Sequence, residues 1–384
     1  MRFLHTGDWH VGRTIRGRSR TDEFGAALDE VVAIAVDREV DAVLIAGDVY
    51  DQRAVNADAD KLVFETFLRL HDKRIPVVAI PGNHDSPARL GAVAPLLERI
   101  GVSMVAKTRP PREGGVVEVF SRDRSSSALV ACLPFVPPRR FSDAAQLFED
   151  VSAGYVDFDA GMGELLGAYA TAFKDDAINL VLGHLFVSGA EPGGGERQVT
   201  IGADYAVSPA RLPRTAHYVA LGHIHKPQAV RGAGGPSRYC GSLLQLDFGE
   251  RAQKKSVVVV EAEPGRRART EQVPITAGRE LREISGTIDL LPEKADSLGN
   301  AYLRVTVQVD RPVPGVADRV RELLPNALDV RLDYEREEPS SRESSLRTLE
   351  PLEQFIAYYR DAHGTDPSDE ITGAFGLVHE EVAG

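Results

Sequence analysis

Five short segments of this 384-residue chain carry side chains able to hold divalent metal ions. They read Gly7-Asp8-Trp9-His10, Gly47-Asp48-Val49-Tyr50-Asp51, Gly82-Asn83-His84-Asp85, Gly183-His184 and Gly222-His223-Ile224-His225. Each starts with glycine after an apolar run, and together they hold five of the ten histidines. Carboxylate and amide oxygens with neutral imidazole nitrogens suit Mn, Fe(II) or Zn, and the lack of thiolates argues against a structural zinc site. Two ions about 3.5–4 Å apart need roughly seven or eight protein donors and a shared carboxylate. Two Asp, one Asn and four or five His supply that inventory. D-x-H or G-H alone carries little information. G-D-x-x-D followed 35 residues later by G-N-H-D is far more specific, and all five in order are more specific still.

Strand ends must deliver these donors, because sites in open α/β sheets form outside the carboxyl ends of strands. Arg2–Thr6, Ala42–Ala46 and Pro76–Ile80 read as strands, and Asp22–Val40, Asp58–Lys73 and Pro87–Ile100 as helices. That alternation predicts β-α-β units and a largely parallel sheet. The leading glycines are expected to let the chain turn sharply and bring short side chains to the centre. Beyond Gly101, the runs Val116–Phe120, Ala128–Leu133, Ile178–Leu182, Tyr218–Leu221, Arg238–Cys240 and Ser256–Val260 predict a second, more antiparallel sheet. Glu191–Glu196 reads as a flexible surface loop, with a loop bordering the substrate cleft as the alternative. A boundary is expected near Pro264–Arg279. A small α+β unit follows, with strands Arg282–Leu290, Tyr302–Val309 and Leu328–Leu332 and a helix Gly315–Leu324. After the polar stretch Glu335–Ser345, a helical segment carries Leu352, Phe355, Ile356 and Tyr359. The expected domains are therefore 1–265, 275–335 and 345–384.

In this order the five segments resemble the calcineurin-like metallophosphoesterases. The finer match is to the SbcD-type DNA-repair nuclease subunits. Leu4-His5-Thr6-Gly7-Asp8-Trp9-His10-Val11-Gly12 resembles their opening. Gly183-His184-Leu185-Phe186, Gly222-His223-Ile224-His225-Lys226-Pro227-Gln228 and the stretch Tyr239–Glu250 resemble later blocks. The similarity covers residues 1 to about 260 and reappears at the C-terminus; Leu243, where the family often has Pro, departs outside the ligand set. The resemblance implies an α/β fold: a four-layer α-β-β-α sandwich with a small α+β capping domain and a C-terminal helical tail. It implies that Asp8, His10 and His225 hold one divalent ion, that Asn83, His184 and His223 hold a second, and that Asp48 bridges both. Mn2+ is favoured and Mg2+ is possible. Water activated between the ions would attack phosphorus in line, giving 3′–5′ double-strand exonuclease and single-strand endonuclease activity. His84 would stabilise the transition state or protonate the leaving oxygen, with Asp51 orienting it by hydrogen bonding. Asp85 reads as the cap of the helix beginning near Pro87. The family further implies a tail docked on an SMC-like ATPase subunit, SbcC. It also implies a homodimer, through the segments Asp58–Lys73 and Pro87–Ile100, within a heterotetramer.

The formal net charge of −12, taken whole, argues against a nucleic-acid partner. Residues 331–384 carry −8 of it, leaving −4, which two divalent cations would offset. Arg13, Arg16, Arg18 and Arg20 form a basic run directly after the first metal segment and are expected to contact DNA phosphates. Arg53 and Arg89 are lesser candidates. Trp9 reads as packing beneath the metal loop, and His5 as a core histidine. No run approaches the roughly 18–20 apolar residues of a membrane span, and no secretory signal is expected ahead of Arg2–Thr6. Cys132 and Cys240 read as two buried thiols in a reducing cytoplasm. Two other readings compete: a phosphodiesterase or phosphatase on a non-DNA substrate, and a DNA-end tethering subunit with little catalysis.

Overall fold

The computed structural model describes residues 1–137, 158–196, 205–311, 314–334 and 349–383. The polar stretch Glu335–Ser345, and with it the expected limits at 335 and 345, lies outside the described residues. The chain divides into a unit of Met1–Thr306 with Gly315–Arg331 and a unit of Val307–Pro314 with Leu332–Gly384.

The first unit begins as the apolar spacing predicts. Strands β1 (Arg2–Thr6), β2 (Ala42–Ala46), β3 (Val77–Ile80) and β4 (Val102–Met104) are parallel neighbours. Helices α1 (Thr21–Asp37), α2 (Ala57–Asp72) and α3 (Pro87–Glu98) connect them. Asn56 caps α2 by accepting from the Ala59 N–H. Side-chain alternation along the strands sorts them into two interfaces. Leu4, Val43, Ile45, Val77 and Ala79 pack with Phe24, Leu28, Val31, Val63 and Phe67 of α1 and α2. Phe3, Leu44, Ala46, Val78 and Ile80 face a second sheet.

The second sheet is formed by β5 (Val116–Phe120), β6 (Ser127–Leu133), β7 (Ile178–His184), β10 (Tyr218–Gly222), β11 (Gln228–Ala229) and β12 (Ser237–Tyr239). It differs from the expected antiparallel sheet. β6, β7, β10 and β12 run parallel, and only the edge strands β5 and β11 are antiparallel. Its inner face supplies Val130, Cys132, Leu180, Leu182, Tyr218 and Ala220 to the inter-sheet core. Its outer face packs Ala131, Val181, Val219 and Leu221 on Met162, Leu165, Leu166 and Tyr169 of α4 (Phe158–Ala170). The layers are therefore helix, sheet, sheet, helix. A two-stranded pair, β8 (Phe186–Val187) with β9 (Ala206–Val207), lies beyond β7 in the chain.

Two further strands extend the first sheet. β13 (Ser256–Glu261) pairs antiparallel with β1, and β14 (Arg269–Pro274) with β13. β14 lies within the stretch Pro264–Arg279 where a domain boundary was expected. It is an exposed, polar edge strand, so its sequence shows no apolar alternation. A third sheet, ordered β15 (Leu281–Gly286), β16 (Tyr302–Gln308), β17 (Ala327–Asp333), carries α5 (Leu291–Asp296) and α6 (Val316–Leu323) in its connections. Leu281 and Tyr302 bury against Ile15 and Phe248, joining this sheet to loops beside the predicted site.

The second unit contains α7 (Pro351–His363) and α8 (Asp369–Ala383). A capping box between Glu350 and Glu353 starts α7. The rings of Phe355 and Phe375 stack with centroids 4.2 Å apart. Leu352, Tyr358 and Ile371 are exposed large apolar residues. Among the described residues, no helix is long and apolar enough to cross a membrane.

Candidate metal centre

Strands β1, β2, β3, β7 and β10 bring all seven predicted donors into one buried cluster, with Asp48 at its middle. Asp48 Oδ2 lies 3.5 Å from His10 Nε2 and 3.4 Å from His184 Nε2. His10 Nε2 faces His225 Nε2 at 3.1 Å. Asn83 Oδ1 lies 3.0 Å from His184 Nε2 and 2.9 Å from His223 Nδ1. The Asp8 carboxylate accepts the His223 N–H at 2.9 and 3.1 Å. Asp8, Asp48 and His184 form one compact set of possible metal donors, and His10, Asp48 and His84 a second.

The backbone bends to make this cluster. Asp8, His10, Asp48 and His223 have φ of 47, 49, 48 and 98°, in the left-handed region. Such strain costs on the order of 1–3 kcal/mol per residue and collects at functional sites. It refines the expected part of the glycines: three of the sharp turns fall on Asp8, Asp48 and His223 themselves. Gly47 adds a left-handed turn of its own, with φ 88°, and the preceding glycines also provide space. A Cβ on Gly47 would lie 2.3 Å from His184 Nδ1, and one on Gly82 would lie 2.1 Å from Asp48 Oδ1.

Hydrogen bonds orient the rings. His184 Nδ1–H donates to the Ala46 carbonyl at 2.7 Å, which turns its Nε2 toward Asp48 and Asn83. Burial pulls His10 down to about 4, so its ring is neutral. Burial also opposes charge on His184, but Asp48 and Asp8 outweigh it and raise the ring to about 9. Burial and the neighbouring Asp48 charge push Asp8 up to about 6, against the pull of His184 and His225. Asp48 resists its burial because His184, His10 and His84 surround it, and it stays well below the carboxylate range.

The donor set fits divalent cations. Carboxylate, amide and imidazole donors converge inside the protein, where the buried carboxylates Asp8 and Asp48 need a positive partner. The two Nε2 atoms meeting at 3.1 Å need a proton or a metal ion between them.

Several expected contacts are corrected. His84 Nδ1–H donates to the backbone carbonyl of Asp51 at 2.7 Å, whereas the Asp51 carboxylate stands 4.0 Å from that nitrogen. That carboxylate instead meets Arg13 Nη1 at 3.0 Å and His10 Nδ1 at 3.3 Å. Asp85 does not cap α3; Ser86 does, accepting from the Arg89 N–H at 3.4 Å. The Asp85 carboxylate is buried and accepts the backbone N–H groups of Gly82, Val49 and Tyr50 at 2.9–3.1 Å, tying the second metal segment to the third.

The arginine run separates by exposure. Arg16 and Arg18 are exposed, with Arg16 paired to Asp329 at 3.1 Å and Arg18 over the Tyr302 ring. Arg13 is half-buried against Asp51. Arg20 is corrected: its side chain is buried, bound to Glu23 and the Gln245 carbonyl, and is not placed to meet a phosphate. Arg89 pairs with Asp60. Trp9 is buried and donates to Thr6 Oγ1 at 2.9 Å, as a packing residue does. Three charged residues behind His225 were not expected: Glu196, Glu250 and Lys255, all buried. Their only trace in the sequence is that two of them end motifs, E-P-G-G-G-E and Q-L-D-F-G-E.

Residues 1–227 match the family model described as calcineurin-like phosphoesterase. Over 98% of this chain and 97% of its own, the SbcD subunit of the nuclease SbcCD from Bacillus subtilis is 30% identical. The chain belongs to the SbcD family of calcineurin-like phosphoesterases. Its SbcD-family relatives include the corresponding SbcCD nuclease subunit of Rhodobacter capsulatus, 31% identical over 85% of both chains. The protein of the same description from Escherichia coli is 29% identical over 75% of this chain and 72% of its own. Residues 277–363 match a second model, described as Type 5 capsule protein repressor C-terminal domain. That span covers the third sheet of this SbcD-family chain and its helix α7.

Proposed function

We propose that the chain is a metal-dependent DNA nuclease, the nuclease subunit of an ATPase–nuclease complex that processes DNA ends and hairpins. One observation carries the reading: Asp48 Oδ2 stands between His10 Nε2 and His184 Nε2, at 3.5 and 3.4 Å. That is where a carboxylate shared by two ions belongs. Asp8, His10 and His225 would hold the first ion, Asn83, His184 and His223 the second, and Asp48 both. Mn2+ suits the mixed oxygen and imidazole donors, and Mg2+ is the alternative. When bound, the ions supply Lewis acidity toward a phosphodiester oxygen and make water more acidic.

The chain's own residues do the rest. His84, its Nδ1 held by the Asp51 carbonyl, presents Nε2 to the site. As an imidazolium it protonates the leaving oxygen or meets charge on the phosphoryl group. Arg16 and Arg18 offer exposed guanidinium groups to the DNA backbone, and Arg13 lies closer to the donors through Asp51. A Bacillus subtilis relative named as a nuclease subunit matches over nearly the whole chain and supports nuclease activity; 3′–5′ exonuclease and single-strand endonuclease activity is the finer reading that the family resemblance implies. Exposed Leu68 on α2 and Leu96 on α3 support a homodimer through those helices. Exposed Leu352, Tyr358 and Ile371 support docking of the tail on an SMC-like ATPase in the cytoplasm.

The test compares Mn2+-dependent hydrolysis of labelled linear duplex DNA with that of small phosphodiesters and a phosphopeptide. Preferred cleavage of DNA is expected. Turnover of the small substrates alone would assign a non-DNA phosphoesterase, and DNA binding without turnover would assign a tether.

A further inference from the structure

His225 is held differently from His184 and His84. His184 and His84 donate from Nδ1 to backbone carbonyls, of Ala46 and Asp51. His225 is held by three buried charged side chains, one on each polar group except Nε2. Its backbone N–H donates to Glu196 Oε1 at 2.8 Å. Lys255 Nζ donates to its backbone carbonyl at 3.0 Å. Its Nδ1 lies 2.9 Å from Glu250 Oε1. That leaves Nε2 aimed at His10 Nε2.

The three charges are themselves braced. Glu250, fully buried, also accepts from Lys255 Nζ at 2.7 Å and from the Leu246 N–H at 3.0 Å. Lys255 neutralises it, so the carboxylate can stay ionised in the interior. Glu196 folds the Gly193–Gly195 loop over this pair, accepting the N–H groups of Gly193 and Gly194 at 2.6 and 2.7 Å. The loop is packed rather than free: a Cβ on Gly195 would lie 2.2 Å from Glu250 Oε1 and 2.8 Å from His225 Nδ1. The flexible surface loop expected from E-P-G-G-G-E is thus a lid over a hydrogen bond.

We propose that Glu196, Glu250 and Lys255 form a dedicated positioning set for His225, which makes one of the two metal sites depend on them and leaves the other independent. The set fixes the ring tautomer with the proton on Nδ1 and the lone pair on Nε2, and raises its basicity, as a carboxylate behind a metal-binding imidazole does. Lys255 offsets the charge of Glu250, so the charge the set brings to the site is that of Glu196 alone. This rests on the reading that His225 holds a metal ion.

The test is a Mn2+ titration of the full chain followed by electron paramagnetic resonance, which counts the ions bound without any need for turnover. The variant E250Q/K255M removes the paired charges of Glu250 and Lys255 together and keeps their volumes, leaving Glu196 with its three backbone N–H donors. Substitutions behind a ligand cost about 10–100-fold in metal affinity. The expected result is two Mn2+ ions in the wild type and a loss of that size at one site in the variant, with the other site within about two-fold. Gly195→Ala, which crowds the same hydrogen bond from outside, is expected to weaken the same site. Equal loss at both sites, or no loss at either, overturns the assignment. A wild type that binds fewer than two ions removes the metal-centre reading itself, and the positioning set with it.

Discussion

His84 Nδ1 lies 2.7 Å from the backbone carbonyl oxygen of Asp51, while the carboxylate of Asp51 faces Arg13 and His10. The residue that orients the proposed proton donor therefore does so with its main chain. Asp51→Ala leaves that carbonyl in place. Removing His84 should cost on the order of 10²–10⁴-fold in kcat, the usual value of a positioned acid or base. Asp51→Ala should cost at least ten-fold less than His84→Ala in steady-state DNA cleavage. Equal losses with metal binding intact would return the orienting role to the carboxylate.

Gly47 has a φ of 88° and no room for a methyl group, since a Cβ would sit 2.3 Å from His184 Nδ1. Gly47→Ala should lower unfolding free energy by about 2 kcal/mol or more, from left-handed strain and crowding together. It should also weaken Mn2+ binding. Urea unfolding and a Mn2+ titration check the two effects separately. A variant with wild-type stability and metal affinity would mean that the loop moves freely.

Glu23 on α1 links the first sheet's helical layer to the third sheet. It accepts from Arg20, from the Arg279 N–H at 2.7 Å and from the Tyr302 hydroxyl at 3.0 Å. Burial pushes its carboxyl up, but these donors outweigh it and hold the group below the usual range. A depressed carboxyl contributes stability that is complete above its unfolded value of about 4.3 and fades as pH falls through the lower folded value. Glu23→Gln should cost about 1–3 kcal/mol at pH 7. The gap to wild type should hold down to about pH 5 and shrink below about 4.3. Urea titrations across pH 3–7 measure it; a gap that widens on acidification would contradict the sign.

The sequence made the donor strands legible because they are short, fully buried apolar runs, such as Ala42–Ala46. Helices α1 and α2 were legible from the spacing of Phe24, Leu28 and Val31 and of Val63, Phe67 and Leu70. The parallel pairing of β6, β7, β10 and β12 was not. One helix between them, α4, carries Gly161, Gly163 and Gly167, which blur its periodicity. β14 was hidden because an exposed polar edge has no apolar pattern. Within the site, residue types and order gave two Asp, one Asn and four or five His, and the family resemblance implied which seven are the donors. Partners distant in sequence did not show: Glu250 reaches His225 across 25 residues and Asp85 reaches Tyr50 across 35. Nor does a run of arginines reveal that Arg20 turns inward to Glu23.

Helices α7 and α8 hold themselves together through the Phe355–Phe375 stack yet expose Leu352, Tyr358 and Ile371. Removing residues 349–384 should leave Mn2+-dependent DNA cleavage within about two-fold and abolish co-purification with the proposed ATPase partner. Pull-down of the co-expressed ATPase reads the second effect. Retained co-purification would place the docking surface elsewhere.

The most direct measurement is cleavage of labelled linear duplex DNA in Mn2+ by the purified chain and by His84→Ala, with bound Mn2+ counted in both. Cleavage by the wild type, lost by about 10²-fold or more in the variant while both still bind two ions and DNA, is the expected result. Two bound ions without DNA cleavage by the wild type, or undiminished cleavage by His84→Ala, would contradict a nuclease centre built on Asp48 and served by His84.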